Sequence, residues 1–95
     1  MNRKWTEKEA NAWYDALPWL RGCNFIGSDC ASRIDMWQSY GAKEHFATAE
    51  RELALAEKIG FNTVRLLVEF DVWYQEHDAF MENLERYIAL SASHG

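Results

Sequence analysis

Proline is almost absent from this chain. There is one in 95 residues, beside five glycines and two cysteines. So little Pro and Gly excludes a collagen-like or low-complexity tract. Basic side chains are scarce too: ten Lys and Arg stand against fifteen Asp and Glu, a formal net charge of -5. That balance argues against a nucleic-acid surface. No apolar run approaches the roughly 18 residues that a membrane span needs; Leu66 to Val68 already stops at Glu69. The start, Met1 to Glu7, turns polar and acidic before any apolar segment. No export signal is read there, and a cytoplasmic location is expected. Cys23 and Cys30 make no CxxC pair, and His45, His77 and His94 keep no ligand spacing. The expectation is therefore two reduced thiols and no metal, with Cys23 packed in an apolar strand-like run.

What is present is apolar and aromatic. The chain is 48% hydrophobic and 15% aromatic, too much for a disordered segment. Its length allows one small domain, burying about 60–65% of its unfolded surface. The negative charge lies in the second half. Residues 1–48 balance to zero, while residues 49–95 hold four basic and nine acidic groups. Most of those acids fall on helix faces and read as solvated surface. Glu69, Asp71, Glu76 and Asp78 differ, because they follow a strand.

Along the chain, Thr6-Glu7-Lys8-Glu9 reads as a capping box. Ala10, Trp13 and Leu17 continue it at helical spacing, giving a short helix over 6–17 that Pro18 ends. Cys23 to Ile26 is a brief strand closed by Gly27. Residues 27–42 read as a polar, irregular loop around the apolar island Met36-Trp37, a length uncommon unless functional or disordered. Lys43 to Ile59 is the clearest helix, with Phe46, Ala49, Leu53, Ala56 and Ile59 on one stripe. Gly60 suits the left-handed position after it. Thr63 to Phe70 reads as a strand buried on both faces. Asp71 to His77 reads as a loop. Asp78 then caps a last helix with stripe Phe80, Leu84, Tyr87, Ile88 and Ser91.

The order of residues 23–95 is strand, helix, strand, helix. That predicts an α/β fold with a parallel sheet and outer helices. In such folds ligands gather beyond the C-terminal ends of the strands. Two parallel strands alone leave open edges and an uncovered apolar face. On packing grounds residues 1–95 read as a single partial domain, the opening piece of a larger α/β protein.

Three stretches resemble a known family: Leu20-Arg21-Gly22-Cys23-Asn24-Phe25-Ile26-Gly27-Ser28, then Met36-Trp37-Gln38, then Glu52-Leu53 through Ile59-Gly60-Phe61-Asn62-Thr63-Val64-Arg65. They are similar to the N-terminal part of cellulase-like glycoside hydrolases of the (β/α)8 barrel clan. The matching elements are G-x-N-F-x-P/G-S at the first strand, M-W in the first loop and G-x-N-x-V-R at the second. The tail, Phe80 to Gly95, is similar to the second barrel helix, which often ends in His-Gly. The resemblance spans roughly residues 17–95. It implies a βαβα piece forming the first quarter of a TIM barrel, preceded by a short helix.

The resemblance also implies roles. Arg65 matches the arginine that hydrogen-bonds the nucleophilic carboxylate, and a guanidinium there keeps a nucleophile ionised. Otherwise Arg65 makes a structural ion pair. Asn24 and Ser28, at the end of the first strand, either bind sugar hydroxyls or cap their loop. Trp37 and Trp73, in strand-to-helix loops, either stack on sugar rings or pack in the core. Glu69 and Asp71 either contact sugar hydroxyls or are solvated acids. They are not the catalytic pair, which in this clan comes from the fourth and seventh strands. The activity implied is retaining hydrolysis of a β-linked poly- or oligosaccharide, with no cofactor. Residues 1–95 hold neither catalytic carboxylate and are expected to be inactive alone. The alternative is a self-standing α/β module that binds carbohydrate or a protein partner through Trp19, Trp37, Trp73 and Tyr74, as a dimer that closes its edges.

Overall fold

A computed structural model describes residues 3–95. Helix α1 covers Glu7–Asp15. Its start is the expected capping box. Thr6 Oγ1 accepts from the Glu9 N–H at 3.2 Å, and Glu9 Oε2 accepts from the Thr6 N–H at 2.8 Å. Arg3 also pairs with Glu9. The helix ends at Asp15, with Ala16 as its cap, just short of the expected Leu17. It buries none of its residues, and Trp13 meets Trp5 edge-on at 6.0 Å.

Strand β1 is Gly22–Phe25 and strand β2 is Thr63–Leu66. They pair in parallel, with Gly22 opposite Thr63, Asn24 opposite Arg65 and Phe25 opposite Leu66. The start of the pairing is tied by Asn62. Its side-chain oxygen accepts from the Arg21 N–H at 2.8 Å, and its amide nitrogen donates to the Trp19 carbonyl at 3.0 Å. The strands come very close at Gly22. A Cβ there would lie 1.9 Å from the Thr63 carbonyl oxygen, so only glycine fits. The chain is thus mixed α/β, with five helices and a two-stranded parallel sheet among the described residues.

Between the strands, α2 is Arg33–Trp37 and α3 is Ala42–Lys58. The segment expected to be irregular therefore carries a helical turn. Ser32 caps it, its hydroxyl accepting from the Asp35 N–H at 3.4 Å. Helix α3 follows its expected stripe: Phe46, Ala49 and Leu53 are buried, while Ile59 beyond the end is exposed. Gly60 has φ of 99°, the left-handed conformation a helix stop requires.

From β2 onward the structure departs from the expectation in four places. The strand stops at Leu66 instead of Phe70. It is exposed at Thr63 and Arg65 and half-buried at Val64 and Leu66, not covered on both faces, because helices pack on one face only. Phe70, expected to end the strand, and the residues after it, expected to be a loop, form helix α4, Phe70–Gln75. Helix α5 follows as His77–Ser93, and Asp78 lies in its first turn instead of capping it. Phe80, Asn83 and Tyr87 form its buried stripe, while Ile88 faces out.

One core joins these elements: Phe25, Met36, Trp37, Phe46, Ala49, Leu53, Val72, Phe80 and Tyr87. Trp37 is its centre, 5.3 Å from the Phe80 ring and 5.1 Å from Tyr87. Tyr87 in turn lies 4.4 Å from Phe46. The Trp37 indole N–H donates to the Leu67 carbonyl at 2.8 Å, and buried Asn83 donates to the Trp37 carbonyl at 3.1 Å. Cys23, expected to pack, is exposed instead. None of the described helices is long and apolar enough to cross a membrane.

Candidate functional site

The C-terminal ends of β1 and β2 carry most of the residues the sequence singled out. Strand alternation puts Phe25, Val64 and Leu66 toward the helices, and these join or touch the core. Asn24 and Arg65, side by side in the ladder, face the other way and are exposed. Ser28 follows β1, exposed, with its backbone N–H donating to Glu52 Oε1 at 2.8 Å. Glu69 precedes α4 and pairs with Arg33 at 3.4 Å. Asp71 lies exposed in the first turn of α4.

Helix α4 adds an aromatic surface. Trp73 is 39% exposed, Phe70 66% and Tyr74 73%. Phe70 lies 5.5 Å from Trp73 and 6.0 Å from Tyr74, and Trp73 meets His77 edge-on at 5.4 Å. Of these rings the sequence points to Trp73 and Tyr74 but not to Phe70. The apolar run extends the expected strand to Phe70, and that masks the i, i+3 and i, i+4 spacing that brings the three rings together. Trp37 is a correction. It is 0% exposed, so neither face of its ring can meet a sugar, and it serves the core.

A second cluster lies under the loop between β1 and α3. His45, on the first turns of α3, is only 9% exposed. Its Nδ1 is 2.9 Å from Asp29 Oδ2, and its Nε2 is 3.2 Å from Asp35 Oδ1. Both neighbours are carboxylates that only accept, so both ring nitrogens donate, which is the imidazolium form. Burial alone would lower the pKa of His45. The hydrogen bonds and negative charge of Asp29 and Asp35 outweigh burial and raise it. Burial pushes Asp29 up, but His45 and the Thr48 hydroxyl, 3.0 Å away, hold it below its ordinary value. Asp35 is lowered chiefly by the Ala31 N–H at 2.9 Å, then by His45. Cys30 lies beside this group, its Sγ 3.7 Å from Asp29 Oδ1. Burial first, then the charges of Asp29 and Asp35, push its thiol up to about 12.

The sequence reading found no ligand spacing around its histidines. The fold nevertheless brings Asp29, Cys30 and His45 together, with one donor atom of each within 4.8 Å of the others. These are the side chains of the described residues that could hold a metal ion. Asp29, Cys30 and Asp35 lie 16, 15 and 10 positions before His45, and no local pattern reveals that meeting.

At the opposite end of β2, between α3 and α5, is an open cleft of about 230 Å³ lined by Leu53, Phe61, Val64, Ser91 and His94 among others. The Ser91 hydroxyl is buried without a hydrogen-bond partner. No family model, curated protein or solved structure matches the chain.

Proposed function

We propose that residues 1–95 form the first two βα units of a (β/α)8 barrel that hydrolyses β-glycosidic bonds with retention. One observation carries this reading: Arg65 stands exposed beside Asn24 on the helix-free face of a parallel β–α–β pair. In a barrel that face lines the interior, and its C-terminal end is where catalysis occurs. The sequence motifs G-x-N-F and G-x-N-T-V-R fall on these two strands, and their Gly22 and Asn62 hold the strands together. Exposed apolar groups at the sheet, Ile26 and Val68 among them, fit an element that packs against further strands.

Under this reading two glutamates outside residues 1–95 do the chemistry. One attacks the anomeric carbon while the other protonates the departing oxygen. Water then displaces the enzyme carboxylate, giving its proton back to the second glutamate. Arg65 holds the nucleophile ionised by donating to its carboxylate. Asn24, Ser28, Glu69 and Asp71 contact sugar hydroxyls at the strand ends.

The experiment is kinetic. In a protein that carries residues 1–95 and hydrolyses an aryl β-glycoside, Arg65→Ala should lower kcat by roughly a hundredfold with the fold retained. An unchanged kcat removes Arg65 from the site.

The aromatic surface of Phe70, Trp73 and Tyr74 favours a second reading, a carbohydrate-binding module whose open edges are closed by a second copy. Flat rings stack on the apolar faces of sugars. In that case the 95-residue chain alone binds cello-oligosaccharides, and Trp73→Ala abolishes the binding.

A further inference from the structure

We propose that Asp29, Cys30 and His45 form a zinc site that fastens the β1–α3 loop to α3. The donor set is a carboxylate oxygen, a thiolate sulfur and an imidazole nitrogen. Mixed N, O and S donors suit Zn2+, whereas Mg2+ and Ca2+ take oxygen ligands.

The distances are close to what the ion needs. Tetrahedral zinc with bonds of about 2.0–2.3 Å sets its ligands about 3.3–3.7 Å apart. Cys30 Sγ and Asp29 Oδ1 stand at 3.7 Å. His45 Nδ1 stands 2.9 Å from the other oxygen of the same carboxylate, Oδ2, so the ion takes one of these two oxygens and the second turns aside. The widest separation in the trio, within 4.8 Å, closes by about 1 Å. Cys30 sits in a loop, where a side-chain rotation supplies that movement.

A second, independent feature is the layer around the donors. A metal-bound histidine almost always gives its other ring N–H to a carboxylate or carbonyl. Here the far nitrogen of His45 already faces Asp35 at 3.2 Å. Asp35 is itself fixed by the Ala31 N–H at 2.9 Å and the Gln38 amide at 3.2 Å. Asp29 is oriented by the Thr48 hydroxyl at 3.0 Å. Both donors that need orienting are therefore oriented in advance. Glu52 adds further negative charge near Cys30. The surroundings thus favour a dication.

The protons balance. Binding releases the Cys30 thiol proton and the Nδ1 proton of the His45 imidazolium to solvent. The Nε2 proton stays on its bond to Asp35. Three protein ligands leave a fourth position for water, and Asp29, a third of whose side chain is exposed, lets water reach it.

The test uses the native protein that carries residues 1–95, stripped with EDTA, its fold checked by circular dichroism, and titrated with Zn2+ by calorimetry and with Co2+ by absorption. One Zn2+ per chain is expected, and Co2+ should give a thiolate-to-metal charge-transfer band. Cys30→Ser removes the band and His45→Gln weakens Zn2+ binding at least tenfold. Asp35→Asn weakens it about 10- to 100-fold through the outer layer. Cys23→Ser, at the other thiol, changes nothing. Cys30→Ser keeps the His45 hydrogen bonds, and circular dichroism checks that it still folds. Failure to bind Zn2+ stoichiometrically overturns the proposal. So does a band that follows Cys23, or binding that survives Cys30→Ser unchanged.

Discussion

Asn62 satisfies three backbone groups at the start of the sheet: its amide bonds Arg21 and Trp19, and its own N–H donates to the Arg21 carbonyl at 2.8 Å. Gly22 acts beside it by what it lacks. Gly22→Ala forces a methyl group into the Thr63 carbonyl. It should destabilise the chain by about 1–3 kcal/mol, a fall in melting temperature of roughly 4–8 °C per kcal/mol. An unchanged melting curve would mean the strands do not meet as described. Glu9 gives a pH prediction. Arg3, then the Thr6 N–H, hold its carboxyl at about 2. A lowered carboxylate stabilises above its unfolded pKa of about 4.3 and loses that contribution as pH falls through the folded value. Amide chemical shifts of α1 should therefore stay helical down to about pH 4 and fray as pH approaches 2. Shifts that hold steady to pH 2 would contradict the capping geometry.

At the scale of elements, legibility follows periodicity and local signals. Helix α3 was readable because its stripe and its Gly60 stop agree, and α1 because its capping box lies within four residues. The parallel pair was readable from the order of segments. Helix α4 was not. Phe70, Val72, Trp73 and Tyr74 are weak helix formers that continue an apolar run, so they read as strand and loop; packing of Val72 into the core makes the helix. The His45 cluster was invisible for another reason, since its partners come from the loop before α2 and from α2 itself, whose placement against α3 the sequence does not encode locally. Trp37 and Trp73 look alike in sequence, each in a strand-to-helix connection, and the fold separates them. Trp37→Ala should cost about 3–5 kcal/mol, a large share of the stability of a small domain. Trp73→Ala should cost less than about 1 kcal/mol. Equal effects in chemical denaturation would contradict the described core.

At the scale of the molecule, among the described residues, one face of the sheet has helices packed on it and the other has none. The core lies wholly on the helix side, and the opposite face presents Arg65 and Asn24 to solvent. The cleft beside β2 holds a buried Ser91 hydroxyl with no partner. Open strand edges invite pairing, and proteins normally cover or close them. A barrel does so completely, and it also turns the exposed Arg65 face into a lined interior. The most direct measurement is the intact mass of the native gene product, before and after exposure to a fluorinated glycoside that traps a glycosyl-enzyme. The account predicts a mass of roughly 27 kDa or more, the size of a ~250-residue barrel, raised by one sugar unit after exposure. A native mass of 11.1 kDa that gains no adduct would contradict it.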